Sequence, residues 1–132
     1  GFSEQRVEIR SLAVEIMHRV LDDQLSLEDA TAGFANFVPL AMLNRWALAL
    51  TDFAQLDARA AVRFFARLIP HLDTGANSLG KLLGAFSQAL ATLDPATRAQ
   101  LVDEPLRAWL GTLTGSSQKA RYARNILNQV QG

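Results

Sequence analysis

Apolar residues recur every three or four positions along most of the chain, the spacing that places them on one face of an α-helix. β-branched residues do not alternate with polar ones over the length of a strand, so the pattern gives no support to a sheet. The candidate helices cover about residues 3–24, 26–36, 39–54, 57–70, 78–93, 95–102 and 104–113, with a last helix after residue 117. The pattern predicts an all-α fold, an irregular bundle of about six to seven helices.

Residues that begin and end helices mark several of these boundaries. Asp57 and Asp94 stand where a side-chain carboxylate can accept hydrogen bonds from the first backbone N–H groups of a helix. Ser78 and Ser117 stand at the starts of two further helices. Pro70 should end the 57–70 helix, because a proline ring clashes with the preceding helical turn.

The composition is that of one globular domain, which we expect to span residues 1–132. Apolar residues make up 49% of the chain, charged residues 20%, and the formal net charge is zero. This balance excludes a disordered chain or a strongly basic nucleic-acid-binding one. The most apolar stretch, residues 37–50, is too short to span a bilayer. We expect a cytoplasmic, bacterial-type protein, and the opening Gly1 suggests an excised or processed piece of a longer one.

Two predicted helix pairs, 39–70 and 78–113, contain the same Leu-Asp junction at 56–57 and 93–94, about one repeat length apart. The second helix of the first pair resembles the second helix of a HEAT-type repeat on the residues Asp57, Val62, Arg63, Ala66 and Leu68. The second pair lacks the Val-Arg dipeptide. The resemblance implies helix pairs stacked into a curved scaffold that binds other proteins, an alternative to the irregular bundle.

Three arginines, Arg59, Arg63 and Arg67, form what we call the arginine ladder. Their i,i+4 spacing stacks them along one helix face, where like charges destabilise an isolated helix by a few tenths of a kcal/mol per pair. We therefore expect an anionic group to face the ladder. Acids of the same fold are one source, since Glu8 and Glu15 lie two turns apart on the first predicted helix.

An acidic surface of another protein is the other source of negative charge. Arginine suits this task because its planar fork donates two parallel hydrogen bonds to a carboxylate. Phe64, next to Arg63, would add an aromatic anchor if it is exposed. The sequence leaves the internal and the external acid open.

A second basic surface follows from the start of the last helix. Gly115 and the two serines after it leave backbone N–H groups free at a helix start, a candidate anion site. The candidate anion or nucleic-acid contacts are Ser116, Ser117, Lys119, Arg121 and Arg124. Because the chain is neutral and so few phosphate contacts bind weakly at physiological salt, we do not expect nucleic acid to be the main partner.

His71 begins a segment that resembles the phosphoacceptor region of histidine phosphotransfer domains, which are helical bundles of similar length. Gly75 falls where that family has a glycine. Thr74 stands in place of the family's lysine, and Pro70 precedes the histidine where the family has unbroken helix. The resemblance implies a degenerate phosphotransfer site at His71, the enzyme-like alternative for this chain.

Small residues at Gly80 and Gly84 form a stripe on the 78–93 helix where another helix could approach closely. This stripe is a candidate surface for a homo-oligomer. Without cysteine there is no disulfide, thiolate metal site or thiol nucleophile, and no phosphate loop, zinc or serine-nucleophile motif occurs. We expect no metal and no cofactor. The sequence predicts a non-enzymatic adaptor or regulatory module that binds an acidic protein through the arginine ladder.

Overall fold

The computed structural model describes residues 15, 18, 19, 22, 43–76 and 78–131. These residues contain no strand, which confirms the all-α prediction for the described part of the chain. Between residues 43 and 131 the helices are α1 (Leu43–Leu68), α2 (Leu79–Ala91), α3 (Pro95–Leu101), α4 (Glu104–Gly111) and α5 (Gln118–Val130), with a 3-10 helix at Ile69–His71. Of the predicted helix 3–24 the structure describes residues 15, 18, 19 and 22, and the predicted helix 26–36 lies outside the described residues.

The predicted six to seven helices and the HEAT-like stacking are not confirmed. A HEAT-like arrangement would pair α2 with α4, the two halves of the second proposed repeat. Instead α2 packs chiefly against α1 and α5. α1 and α5 therefore flank α2, whereas α3 and α4 pack mainly against α5.

α1 is two helices joined at a bend, as the sequence predicts. Asp57 has non-helical backbone angles, φ −157° and ψ 93°. Its carboxylate accepts a hydrogen bond from the backbone N–H of Ala60 at 3.0 Å, so it caps the second half of α1. α1 ends at Leu68, and Pro70 lies within the 3-10 helix that follows, where its missing N–H leaves no helical hydrogen bond unmade.

Local capping also sets the starts of α3 and α5. Asp94 accepts a hydrogen bond from the backbone N–H of Thr97 at 2.9 Å. That bond, with a second from the Thr97 hydroxyl, holds the pKa of the Asp94 carboxyl below its ordinary value. Ser117 accepts from the backbone N–H of Ala120 at 3.4 Å. Both N-caps were expected from the sequence.

Two further helices start where the sequence predicts, with end structures that the sequence does not show. Ser78 has a left-handed backbone (φ 64°) and makes no side-chain capping bond, so α2 begins without a serine cap. α4 is capped by Asp103, whose carboxylate accepts from the backbone N–H of Leu106 at 3.3 Å. The Glu104-Pro105 dipeptide predicts the start of α4 but not that Asp103 caps it. Asp103 also lines a surface pocket.

The core lies between α1, α2 and α5. Its largest members are fully buried aromatic and aliphatic side chains: Trp46, Leu50, Phe53, Phe64, Phe65, Leu68, Ile69, Leu79 and Phe86. A polar link also joins α2 to α5. The Ser87 hydroxyl donates to the Asn125 carboxamide oxygen, and the Gln129 amide donates to Ser87 Oγ at 3.0 Å. Among the described helices, none is long and apolar enough to cross a membrane.

Candidate functional site

The arginine ladder lies on the second half of α1, after the bend at Asp57. Arg59, Arg63 and Arg67 are all exposed. They form one wall of a surface pocket of about 270 Å³. The other wall comes from the end of α3 and the start of α4, and the complete lining is Arg59, Arg63, Ala66, Arg67, Gln100, Leu101 and Asp103. We call this pocket the arginine groove.

The charges of the groove are strongly one-sided. Three guanidinium groups face one carboxylate, that of Asp103, so the lining carries a net charge of +2. Ala66 and Leu101 add a small apolar surface between the polar groups. Such a lining suits a short anionic chain with some apolar content.

The ladder arginines make no hydrogen bond or ion pair in the part of the chain that the structure describes. Other arginines in the fold are used differently. Arg98 donates to the carbonyls of Leu90 and Ala91, which end α2. Arg107 donates to two carbonyls at the end of α3, including that of Val102 at 2.6 Å. Arginines that stabilise this fold therefore cap helix C-termini, whereas the ladder keeps its donors unused.

The internal acids considered for the ladder do not pair with it in the described residues. Glu15 is exposed and forms no ion pair with Arg59, Arg63 or Arg67. Glu8 lies outside the described residues. Among the described residues the ladder is therefore not paired with an internal acid.

Phe64 cannot serve as an exposed anchor beside the ladder. Its side chain is fully buried and packs edge-to-face against Phe65, with ring centroids 5.4 Å apart. The reason is helix geometry, since one residue after Arg63 the side chain points about 100° around the helix. The apolar side chains that line the groove are instead the buried Ala66 and the half-buried Leu101.

The second basic surface is partly committed to the fold. Lys119 Nζ donates to the backbone oxygen of Thr74 at 2.6 Å, and an Arg124 guanidinium nitrogen donates to that of Gly115 at 2.7 Å. Ser117 uses its hydroxyl to cap α5, and Ser116 is exposed. Of the three candidate cations, Arg121 alone makes no hydrogen bond or ion pair with the described residues, and it lines a separate pocket of about 340 Å³ with Gln118, Tyr122 and Asn125. Three of the five candidate residues, Ser117, Lys119 and Arg124, therefore already form hydrogen bonds within the fold.

His71 is exposed at the end of the 3-10 helix. The resemblance to phosphotransfer domains requires a histidine in the middle of a helix, and Pro70 prevents one here. The residue after His71 is held by a hydrogen bond, which Trp109 Nε1 donates to the Leu72 carbonyl oxygen at 3.3 Å. Phosphotransfer at His71 stays a prediction to which this geometry adds no support.

The glycine stripe of α2 is covered by α5 of the same chain. A Cβ added at Gly84 would lie 3.0 Å from Tyr122 Cζ, and one at Gly80 would lie 2.7 Å from Gln118 Oε1. The prediction of close helix approach is correct, but the helix belongs to the same molecule. A homo-oligomer through Gly80 and Gly84 would have to displace α5.

The described residues hold no group of three or more His, Cys, Asp or Glu side chains arranged to bind a metal ion. Another pocket, of about 440 Å³, lies between α1 and α2 and is lined mainly by alanine and by polar side chains such as Thr51 and Gln88. The sequence pointed to neither this pocket nor the Gln100–Asp103 wall of the arginine groove. Both arise from contacts between distant segments, which no local motif marks.

The comparisons with known proteins return nothing for this chain: no family model matches it, and no curated protein or solved structure is significantly similar to it.

The exposure of the ladder leads to a stability prediction. Arg63→Ala should change the free energy of unfolding by no more than about 0.5 kcal/mol, because no described partner is left without its ion pair. At low salt the variant should be slightly the more stable, since one cation is removed from between two like charges. Thermal unfolding at low and moderate salt measures both effects. A loss of a few kcal/mol would instead reveal a buried acid paired with Arg63.

Proposed function

We propose that this chain is a non-enzymatic interaction module that binds an acidic segment of a partner protein in the arginine groove. The observation that carries the proposal is the contrast between two sets of arginines. Arg98 and Arg107 donate to backbone carbonyls, whereas the three exposed ladder arginines have no partner among the described residues. Their free donors line one side of a pocket with a net positive charge.

The chemistry of the groove favours carboxylates as its ligands. A guanidinium matches a carboxylate with two parallel hydrogen bonds, which adds orientation as well as attraction. Asp103 on the opposite wall would repel a continuous polyanion such as nucleic acid at that point. A protein segment can place acids beside the arginines and a neutral or apolar residue beside Asp103 and Leu101.

The role that follows is that of an adaptor or regulatory domain, one that joins proteins without catalysing a reaction. Such a role needs a rigid binding surface. The Asp57 cap fixes the start of the helix that carries the ladder, and the Asp103 cap fixes the start of α4 on the opposite wall. We keep the cytoplasm as the proposed location.

The test is binding of a fluorescein-labelled peptide that contains several glutamates, measured by fluorescence anisotropy against the same peptide with glutamine at every glutamate position. The acidic peptide should bind, and binding should weaken as salt is raised from about 0.05 M to 0.5 M, because the contacts lie at the surface. Arg63→Gln should lower the affinity by about two- to fivefold, the range for one exposed ion pair.

Arg121→Gln is the matched control, because Arg121 is also an exposed, uncommitted arginine but lies outside the groove. It changes the net charge of the protein by the same amount and should leave the affinity within about twofold of the parent. Equal losses in the two variants would mean that the peptide responds only to net charge, and the proposal would be wrong. Equal binding of the glutamate and glutamine peptides would also contradict it.

A further inference from the structure

The pocket of about 440 Å³ between α1 and α2 uses none of the residues of the arginine groove. One wall lies on α1 between Thr51 and Ala58, and the other lies on α2 and its C-cap between Ala85 and Thr92. The lining consists of four alanines, two threonines and two glutamines, so it carries no charge. We call this pocket the α1–α2 groove.

An exposed leucine stands at one end of the α1–α2 groove. Leu48 is 67% exposed. It precedes Thr51 by three residues and Gln55 by seven, so the three side chains lie on the same side of α1. A single exposed leucine is ordinary on a protein surface. This one extends an uncharged, alanine-rich lining, and together they form an apolar surface of the kind that binds another protein surface.

The two ends of the α1–α2 groove carry opposite charges. α1 and α2 pack against each other and are joined by one short connection, residues 69–78, so they run antiparallel. Asp52 lies four residues after Leu48 on α1, at the end of the groove where the α1 wall begins. Lys81 lies four residues before Ala85 on α2, which places it at the opposite end. Both charged side chains are exposed.

A surface with this pattern is complementary to itself across a twofold axis through the middle of the groove. Such an axis reverses the direction of the groove, so the acidic end of one copy meets the basic end of the other, and the contact occurs twice. The lining between the two ends brings no like charges together, and its glutamine amides both donate and accept hydrogen bonds. The arginine groove, with its net charge of +2, would instead repel a copy of itself.

We propose that the α1–α2 groove is the contact surface of a homodimer, in which each copy covers the groove of the other and both copies bury Leu48. A second copy supplies the reversed order of charges by symmetry alone. This dimer differs from a homo-oligomer through Gly80 and Gly84, because α5 covers those glycines in the same chain. It does not depend on the proposed function, since the two grooves share no residue.

The mass of the full chain tests whether the dimer exists. Sedimentation equilibrium should cover protein concentrations from about 10 to 500 µM, the range in which a small interface associates. The weight-average mass should rise from the 14.4 kDa of one chain toward twice that value. A mass that stays at 14.4 kDa over the whole range would overturn the proposal.

Leu48→Ser tests whether the dimer uses the α1–α2 groove. It should raise the dissociation constant at least about tenfold, because a twofold interface loses the same apolar side chain from both copies. Leu56→Ser is the matched control. Leu56 is 61% exposed on the same helix, but it follows Gln55 by one residue and so points about 100° around the helix, outside the groove lining. The control should stay within about twofold of the parent, and equal losses in the two variants would overturn the proposed surface.

A charge exchange tests the twofold arrangement. Lys81→Glu should weaken the dimer by about three- to tenfold, because it places like charges together at two symmetric contacts. Adding Asp52→Lys restores the opposite charges and should return the dissociation constant to within about threefold of the parent. The two residues lie at opposite ends of the groove in one copy, so recovery reports a contact between copies. A double variant that dimerises no better than Lys81→Glu would overturn the arrangement.

Binding of the acidic peptide separates this inference from the proposed function. Leu48→Ser should bind the glutamate peptide within about twofold of the parent, because the arginine groove does not include Leu48. Loss of the dimer with unchanged peptide binding would support the dimer surface and leave the proposed function standing. A parent chain that binds the peptide and stays monomeric would overturn the dimer alone.

Discussion

Phe65→Ala should lower the free energy of unfolding by about 3 to 5 kcal/mol, the usual cost of removing a buried aromatic ring from a core. Phe65 is 0% exposed and lies on the same half of α1 as the arginine ladder. Its ring meets Trp46 edge-to-face with centroids 6.0 Å apart, and Phe64 in the same geometry at 5.4 Å. Both contacts and the buried area are lost with the ring.

The expected fall in Tm is about 10 to 20 °C for a domain of this size. It can be measured by circular dichroism, with urea titration for the free energy. Leu56→Ala is the control on the same helix, because Leu56 is 61% exposed and alanine is a good helix former. It should stay within about 0.5 kcal/mol of the parent. A loss below about 1 kcal/mol in Phe65→Ala would show that this part of α1 is not packed as described.

Gly84→Val should destabilise the fold by about 1 to 3 kcal/mol, because α2 and α5 approach each other too closely at this point for a branched side chain. The added Cβ alone would lie 3.0 Å from Tyr122 Cζ and 3.1 Å from Cε2, and the two γ-methyl groups extend further. The ring of Tyr122 is half-buried and packs against the core.

Gly111→Val is the matched control, since a Cβ at Gly111 would meet nothing within 4 Å. Urea unfolding of both variants gives the comparison, and the control should lose no more than about 0.5 kcal/mol. Combining Gly84→Val with Tyr122→Ala should recover part of the loss, since the clash disappears with the ring, and the coupling should fall in the range of about 0.5 to 3 kcal/mol. Purely additive effects of the two substitutions would contradict a close contact between Gly84 and Tyr122.

These two core substitutions also bear on the function. Phe65 lies on the second half of α1, which carries one wall of the arginine groove, whereas Gly84 sets the distance between α2 and α5. The groove variant Arg63→Gln is expected to change binding with little change in stability. Stability and binding can therefore be measured as separate properties of this domain.

Local chemistry explains why the sequence was a good guide to parts of the fold. The caps at Asp57, Asp94 and Ser117 involve a side chain and a backbone N–H three residues later, so the pattern of a few neighbouring residues determines them. The shared face of the ladder follows in the same way from four-residue spacing. The same reasoning did not decide the position of Phe64. The sequence shows that Phe64 adjoins Arg63, but not that its side of the helix faces the core, where the side chain is fully buried.

The sequence by itself thus determined the all-α class, the bend at Asp57 and the common face of the three arginines. Tertiary structure alone decided that Gln100, Leu101 and Asp103 face that ladder, and that Lys119 and Arg124 are used by backbone carbonyls. It also decided that α5 of the same chain fills the glycine stripe. The physical reason is the sequence separation of the contacting residues. Capping and helix periodicity act within about one turn, whereas the Arg124–Gly115 contact spans nine residues and the others join segments about 30 to 45 residues apart. Their partners are selected by the packing of the whole core.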